Sequence, residues 1–327
     1  MRQPLSFFVI TDTHYFENAL GASGEAYEKR SLTDQKCIAE TGAIIDAAFS
    51  LLAEDTSAEI VLMPGDLVFN GEKASHLGFI KKLETLKAAG KRIFVIAARH
   101  DYNDTPVGYV GDHTVPVEGT ARDELPVLYR EFGFGQALAF HERTHSYIAP
   151  LAPGVCLFAL NCDGDDKKFR GFDDEHMKWI REQALAAQQR GDYMVTINHY
   201  PILPGSPVMG LVRDAKVSNW EQTADALADM GIRLLFSGHM HMQTVNRRTS
   251  PNGNTLYDVC TGSLVGCPAS IRKVTLLDED TVEITSRRIE EFAWDKDGKT
   301  GEEYFRWRFE RMIRDTIDAM AFDPARF

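Results

Sequence analysis

Short apolar runs alternate with amphipathic stretches over most of the chain. The apolar runs predict buried strands at residues 5–10, 59–63, 92–97, 155–160, 193–197 and 232–236. Between them, apolar residues at helical spacing predict helices over 34–53, 72–89, 174–190 and 219–230. This alternation is typical of an α/β sheet, in which ligands collect beyond the carboxyl ends of the strands.

Three regions depart from the alternation. Residues 16–32 are polar and contain glycine, which predicts a loop, and residues 102–150 predict an insertion over the strand ends. Beyond residue 241, runs with turn signals between them predict a meander of antiparallel strands over 243–248, 255–260, 272–278 and 281–288. A last amphipathic helix is predicted over 302–320. We therefore expect one domain over 1–290 and a helical extension over 291–327.

Residues able to bind metals or phosphate follow the predicted strands. They are Asp12 and His14, Asp66, Arg99 with His100 and Asp101, Asn161, His199, and His239 with His241. Singly, each is explained as well by capping or packing. Together they are hard to explain by packing, because buried charges are costly unless they are paired or bound to metal. Mixed carboxylate and imidazole ligands suit Zn²⁺, Mn²⁺ or Fe better than Ca²⁺ or Mg²⁺, and one or two ions are expected.

Composition narrows the class of function. The 327 residues are 44% hydrophobic, which suits one large core, and the net charge of −12 disfavours non-specific binding to nucleic acid. The five cysteines form no CxxC pair, and three of them lie in apolar runs, so reduced thiols are expected. No signal peptide or apolar run of membrane-spanning length is found, so a cytoplasmic location is expected.

Five ordered blocks resemble the calcineurin-like metallophosphoesterase superfamily. They read Asp12-x-His14, Gly65-Asp66-xxxx-Gly71, His100-Asp101, His199 and Gly238-His239-x-His241, and Thr261-Gly262-Ser263-Leu264 resembles a further block. The resemblance implies a four-layer α/β/β/α sandwich of mixed β-sheets, with a C-terminal helix added here. It also implies a metal-dependent phosphoesterase, in which a metal-bound hydroxide attacks the phosphorus of a small phosphomonoester or phosphodiester in line.

The resemblance also implies roles for single residues. Asp12, His14 and His241 would hold one metal, and Asp66 would bridge to a second. His199 and His239 would complete that second site. In addition, His100 would act near the leaving-group oxygen, oriented by Asp101, and Arg99 and Asn161 are expected to bind substrate.

One position departs from the family pattern. The third block usually reads Gly-Asn-His, with the asparagine oxygen on the second metal, but this chain has Ala98-Arg99-His100. Arginine has no lone pair to donate and cannot be a ligand. Either Arg99 points away and another group completes a weaker site, or it occupies part of the site and grips phosphate.

This departure leaves two functions open. The first is a phosphoester hydrolase, favoured by the retained ligand types and by His100. The second is a binding or regulatory module that has kept the fold around a weakened site, favoured by Arg99. Substrate identity and oligomeric state do not follow from the sequence.

Overall fold

Two β-sheets lie face to face, and helices cover the outer face of each. The computed structural model describes residues 4–163 and 170–321. Its strands are β1 (Leu5–Val9), β2 (Ile60–Met63), β3 (Arg92–Val95), β4 (Val107–Val110), β5 (His113–Pro116), β6 (Ala139–His141), β7 (Ser146–Ala152), β8 (Val155–Ala159), β9 (Tyr193–Ile197), β10 (Leu234–Ser237), β11 (Thr244–Thr249), β12 (Thr255–Cys260), β13 (Ser270–Leu276) and β14 (Val282–Arg288). Its α-helices are α1 (Glu25–Thr33), α2 (Thr41–Glu54), α3 (Lys73–Ala88), α4 (Leu125–Leu128), α5 (Asp174–Arg190), α6 (Trp220–Asp229) and α7 (Gly301–Ala321).

Both sheets are mixed. The first has the strand order β14-β13-β1-β2-β3, and the second has the order β11-β12-β10-β9-β8-β7-β6. In the first sheet, β1, β2 and β3 are parallel. In the second, β8, β9, β10 and β12 are parallel. The parallel strands of both sheets are the ones whose carboxyl ends carry the predicted site residues.

Three apolar layers hold the sandwich together. Between the sheets, alternate strand residues interdigitate, as where the rings of Phe7 and Phe236 meet edge to face with centroids 5.4 Å apart. The outer face of the first sheet packs on α2, α3 and α7, and that of the second packs on α5 and α6. This is the predicted α/β/β/α sandwich of mixed sheets, and the prediction is confirmed.

The segment between β1 and β2 differs from its prediction. A helix was expected from residue 34, but α2 begins at Thr41, and the expected loop contains α1. The sequence of α1 is mostly polar and has no apolar stripe, so its periodicity gave no signal. Tertiary packing stabilises it instead, because buried Tyr27 lies in a cluster with Phe16 and Tyr109.

The four late strands do not form one meander. The β11–β12 hairpin extends the second sheet and the β13–β14 hairpin extends the first, so the chain changes sheets after β12. Turn signals locate hairpins, but they carry no information about which sheet edge a hairpin joins.

Residues 102–150, predicted as one insertion, are divided among three places. The β4–β5 hairpin packs on α1, and Leu125, Tyr129 and Phe132 are buried in the core beneath the first sheet. Strand β6 and most of β7 form the edge of the second sheet. Much of this segment therefore belongs to the sandwich itself.

The C-terminal helix is packed into the domain. Tyr304 and Phe305 of α7 are buried in the same core as α2, and Arg308 pairs with Glu40, its Nε 3.1 Å from the Oε1. In the part of the chain that the structure describes, no helix is both long and apolar enough to cross a membrane.

Candidate metal centre

Six of the predicted ligands lie at the edge where the two sheets meet. Asp12 and His14 follow β1, Asp66 follows β2, His199 follows β9, and His239 with His241 follow β10. Backbone hydrogen bonds join the first two loops, since the amide of Asp12 donates to the carbonyl of Gly65 and that of His14 to the carbonyl of Asp66.

The Asp12 carboxylate links the two sheets. Its oxygens accept from the backbone amide of His239 at 3.2 and 3.0 Å. The residue before His239 is glycine for a steric reason, because a Cβ at Gly238 would lie 2.3 Å from an Asp12 oxygen and from the Thr11 hydroxyl. The close approach of β1 and β10 therefore depends on that glycine.

A first group of ligand atoms converges on one point. It consists of Asp12, His14 and His241, whose ligand atoms all lie within 4.8 Å of one another. The Nε2 atoms of His14 and His241 are 3.2 Å apart, and His241 Nε2 is 3.2 Å from Asp12 Oδ1. Two imidazole nitrogens facing each other beside a carboxylate form a donor set suited to a transition metal.

A second group shares one carboxylate with the first. Asp12, Asp66 and His199 also lie within the same 4.8 Å limit, and His199 Nε2 is 3.2 Å from Asp66 Oδ2. The other ring nitrogen of His199 lies 2.8 Å from the carbonyl oxygen of Pro64, which accepts its proton and leaves Nε2 to face the site. That Nε2 is buried and, apart from this ion-pair contact with Asp66, has no polar partner among the described residues. A metal would satisfy it.

His239 was expected in this second group but lies beside it. Its ring centroid is 5.3 Å from that of His199 and 4.0 Å from that of Tyr200. Its Nε2 lies 2.7 Å from the carbonyl oxygen of Asp214, so Nδ1 is the atom left to bind a metal. Burial and the neighbouring His199 lower the pKa of His239 to about 3, so its ring is neutral at physiological pH.

The charges of the two groups are coupled. Burial alone would raise the pKa of Asp12 and Asp66, but neighbouring imidazoles outweigh it and hold both pKa values well below the ordinary range. Burial likewise opposes the charged form of His199, but the Asp66 carboxylate raises its pKa to about 10. Burial and the Lys36 charge lower the pKa of His14 to about 3. Without metal, an imidazolium at His199 thus balances the Asp66 carboxylate.

The backbone at the ligands is unusual. Five of the six expected ligands are non-glycine residues with positive φ: Asp12 at 53°, His14 at 39°, Asp66 at 52°, His239 at 66° and His241 at 51°. The left-handed region costs such residues about 1–2 kcal/mol each. Strain of this kind persists where the surrounding structure imposes it, and it concentrates at functional sites.

The expected pairing of Asp101 with His100 is not found. The Asp101 carboxylate instead accepts from the backbone amides of Leu67, Val68 and Ala98 at 2.7, 3.0 and 2.7 Å. Three amide donors converge on it because the loops after β2 and β3 leave those amides without other partners. Asp101 therefore joins the Asp66 loop to the His100 loop, and it does not orient the imidazole.

His100 and Arg99 lie in a short turn after β3. The amide of His100 donates to Asp66 Oδ1 at 3.1 Å, and its ring meets that of His14 edge to face with centroids 5.1 Å apart. The Arg99 side chain is partly buried and makes no hydrogen bond or ion pair with residues 4–163 or 170–321. Burial raises the pKa of Asp163 to about 6, and the charges of His199 and, more weakly, Arg99 oppose that rise.

The Asn161 side chain hydrogen-bonds two backbone segments. Its Nδ2 donates to the carbonyl of Ala97 at 3.0 Å, and its Oδ1 accepts from the amide of Asp163 at 3.0 Å. The side chain thus ties the end of β3 to the end of β8. A substrate-binding role for Asn161 stays a prediction.

Sequence reasoning missed three charged residues around the centre. Lys36 is buried with its Nζ 3.4 Å from His100 Nε2. Asp163 is buried, and its Oδ2 has no hydrogen-bond partner among the described residues. Asp258 accepts from the amides of Ile202 and Leu203 and so holds the loop after His199. None of the three lies in a sequence motif. Asp258 could have been noticed as a charged residue within the apolar run 255–260, which predicts a buried carboxylate.

Comparison with known proteins shows the family to which this chain belongs. The sequence profile of calcineurin-like phosphoesterases matches residues 5–243, which is most of the chain. The chain belongs to the calcineurin-like phosphoesterase family. Members of this family are hydrolases that act on phosphoric ester bonds and use divalent metals, and both groups of ligand atoms lie within the matched residues.

Solved structures share the fold of this phosphoesterase. A dimetal phosphatase from Danio rerio is similar with a TM-score of 0.60 and 13% identity, over 88% of this chain and 98% of the other. A purple acid phosphatase from yellow lupin (Lupinus luteus) seeds is similar with a TM-score of 0.56 and 13% identity, over 92% of this chain and 53% of the other. No curated protein sequence matches the chain.

Proposed function

We propose that this phosphoesterase hydrolyses a small phosphomonoester or phosphodiester with two divalent transition metals. In this proposal Asp12, His14 and His241 would hold one ion. Asp66 would bridge to a second ion, because its Oδ2 lies 3.8 Å from His14 Nε2 and 3.2 Å from His199 Nε2. His199 would hold that second ion, with Nδ1 of His239 as a further ligand. The observation that supports the proposal most strongly is the convergence of these buried groups on one point, including His199 Nε2 beside Asp66 Oδ2.

The donor set fits metals of intermediate softness, such as Mn²⁺, Fe or Zn²⁺. When bound, two such ions lower the pKa of water, which supplies a nucleophile, and neutralise charge on the phosphoryl oxygens. The chain's own residues then hold the ester in place. We assign His100 to the leaving-group oxygen, where its imidazole supplies a proton or stabilises charge, and Arg99 to the phosphoryl oxygens as a fork of N–H donors.

The backbone strain supports a hydrolase over a binding module. A module that uses the fold alone has no need of aspartate and histidine in left-handed conformations, because glycine adopts them without steric strain. Arg99 favours the hypothesis of a binding module, since a guanidinium close to a metal ion repels that ion. All six metal-ligand residue types nevertheless remain, and we therefore favour the hydrolase.

Asp66→Asn tests the proposal most directly. A neutral amide bridges two dications poorly, so we expect the variant to lose bound Mn²⁺ or Zn²⁺ and to lose hydrolysis of p-nitrophenyl phosphate and bis(p-nitrophenyl) phosphate. Asp112→Asn is the matched control, because Asp112 is exposed and pairs with His113 in a hairpin. If Asp66→Asn kept full metal content and activity, Asp66 would not be the bridge. A wild type with bound metal and no turnover of either ester would support the module.

A further inference from the structure

A buried lysine lies beside the imidazole that we assign to the leaving group. Lys36 is in the irregular segment between α1 and α2 and is 6% exposed. Its Nζ lies 3.4 Å from His100 Nε2 and 5.3 Å from the centre of the Phe69 ring. The amide of Lys36 donates to the Asp34 carboxylate at 3.0 Å, which fixes the start of this segment.

The charge of Lys36 is not neutralised by an ion pair. Among residues 4–163 and 170–321, no carboxylate oxygen lies within 4.0 Å of its Nζ. The nearest acid along the chain, Asp34, is already paired with Arg30 at 2.7 Å. An ammonium has three N–H donors, and the side-chain contacts of Nζ with the described residues are one imidazole nitrogen and one ring face. A buried charge in this state is costly unless an anion joins it.

The position of Lys36 indicates which anion would join it. Its Nζ lies 3.4 Å from His100 Nε2, and the His100 ring meets the ring of His14 with centroids 5.1 Å apart, so the ammonium borders the metal centre on the His100 side. Metals bound to Asp12 and Asp66 would neutralise those carboxylates. The remaining charge beside His100 would then be positive, which suits the oxygens of a phosphoryl group.

From this geometry we infer that Lys36 is a substrate-binding residue that contacts a phosphoryl oxygen next to His100. The inference rests on the proposed function for the identity of the anion, a phosphate. Lys36 would add a point charge to the guanidinium N–H donors of Arg99. The phosphoryl group would then lie between the metal centre and the segment before α2.

Binding of inorganic phosphate to the Mn²⁺-loaded protein tests the inference without requiring turnover. Lys36→Met keeps the aliphatic stem over Phe69 and removes the charge. We expect its dissociation constant for phosphate, measured by calorimetry, to rise about 10- to 100-fold, as for the loss of a hydrogen bond to a charged group. Lys36→Arg should restore most of the affinity, and metal content and the melting temperature of Lys36→Met should stay close to the wild type.

Lys82→Met is the matched control. Lys82 Nζ lies 5.4 Å from the centre of the Tyr15 ring and pairs with Asp46, on the outer face of α3, so it is a second lysine above an aromatic ring. Its loss should leave phosphate affinity unchanged. If Lys36→Met does not fold, Lys36→Gln replaces it, and failure of both to fold would overturn the inference by making Lys36 a structural residue.

The outcomes separate this inference from the proposed function. Unchanged phosphate affinity in folded Lys36→Met, or absence of phosphate binding in the wild type, would overturn the role of Lys36 whatever the activity. Lys36-dependent phosphate binding by a wild type that hydrolyses no ester would support Lys36 and overturn the proposed hydrolysis.

Discussion

At the scale of single residues, the histidines of the metal centre differ in protonation. His199 carries one because Asp66 raises its pKa to about 10, whereas His14 and His239 are neutral, with pKa values lowered to about 3 by burial and by neighbouring positive charges. A metal that binds through His199 Nε2 must displace its proton. Metal binding therefore competes with the proton on His199, which makes metal affinity depend on pH.

We expect metal affinity to rise with pH. Below pH 10 each metal bound at His199 releases one proton, so affinity should increase about tenfold per pH unit between pH 6.5 and 8. Titration of apo-protein with Mn²⁺ at several pH values measures this, and two buffers of different ionisation enthalpy count the proton. His199→Gln should abolish the dependence, and a flat profile in the wild type would contradict it.

The same pair affects the apo-protein. Because the folded pKa of His199 is raised from 6.5, the pair with Asp66 stabilises the fold fully below pH 6.5, and this contribution is lost as pH rises through about 10. Apo-protein should therefore become easier to unfold with urea from pH 7 to pH 10. Apo His199→Gln should show a smaller loss of stability over this range.

We expect Arg99 to limit the occupancy of the second metal site. A guanidinium about 4 Å from a dication costs several kcal/mol at an effective dielectric constant near 20. Arg99→Asn should therefore bind a second Mn²⁺ more tightly, seen as a higher metal-to-protein ratio at limiting metal. Arg130→Asn, at an exposed arginine outside the site, is the control. If the wild type already binds two ions tightly and Arg99→Asn changes nothing, the side chain points out of the site.

At the scale of elements, buried carboxylates hold the loops that carry the ligands. Asp101 binds the amides of the loops after β2 and β3. Asp258 on β12 plays the same part in the other sheet, where it accepts from the amides of Ile202 and Leu203 at 2.6 and 2.9 Å and from the Ser237 hydroxyl at 2.7 Å. Each aspartate therefore affects the metal centre through the position of the ligand loops, without contact to a metal.

Asp258→Asn should weaken the His199 loop. An amide side chain cannot accept all three hydrogen bonds, so we expect a loss of about 1–3 kcal/mol in the free energy of unfolding of apo-protein, measured with urea. Metal affinity should also fall, although every ligand remains. Asp229→Asn is the control, because Asp229, at the end of α6, also accepts three hydrogen bonds, from the β11–β12 turn, but is exposed. Equal effects of both variants on metal affinity would contradict the positioning role.

The sequence predicted the elements that end at the site better than it predicted their supports. The strands before Asp12, Asp66, His199 and His239 are continuous apolar runs, so their ends were located closely. Lys36 and Asp258 were missed because their partners lie far along the chain, at His100 and Ile202. Helix α1 was missed because it depends on packing against distant segments, which periodicity does not record.

At the scale of the whole molecule, the C-terminal helix supports the segment that carries Lys36. Arg308 of α7 pairs with Glu40 and donates to the carbonyl of Ser31 at 2.8 Å, so it bridges the end of α1 and the start of α2. Tyr304 donates to the same Glu40 carboxylate. The family profile ends at residue 243, but α7 lies beyond it and packs Tyr304 and Phe305 into the same core as α2.

Removal of Arg308 should therefore destabilise the domain. Arg308→Met leaves the Glu40 carboxylate buried without its cation, and we expect a loss of about 3–5 kcal/mol in the free energy of unfolding. The double variant Glu40→Gln/Arg308→Met should recover part of it, because no buried charge is left unpaired. Arg306→Met, at an exposed arginine of the same helix, should cost little. A small effect of Arg308→Met would show that α7 is held by its apolar face alone.

The left-handed backbone at five ligands also bears on how such a sequence can change over generations. At Asp12 and Asp66, glycine would relieve the left-handed backbone but would remove the carboxylates that accept from the amides of His239 and His100. The apo-protein would also lose the pair between Asp66 and His199. A descendant sequence that no longer needed the metals would therefore have to replace these contacts before it could give up the two aspartates.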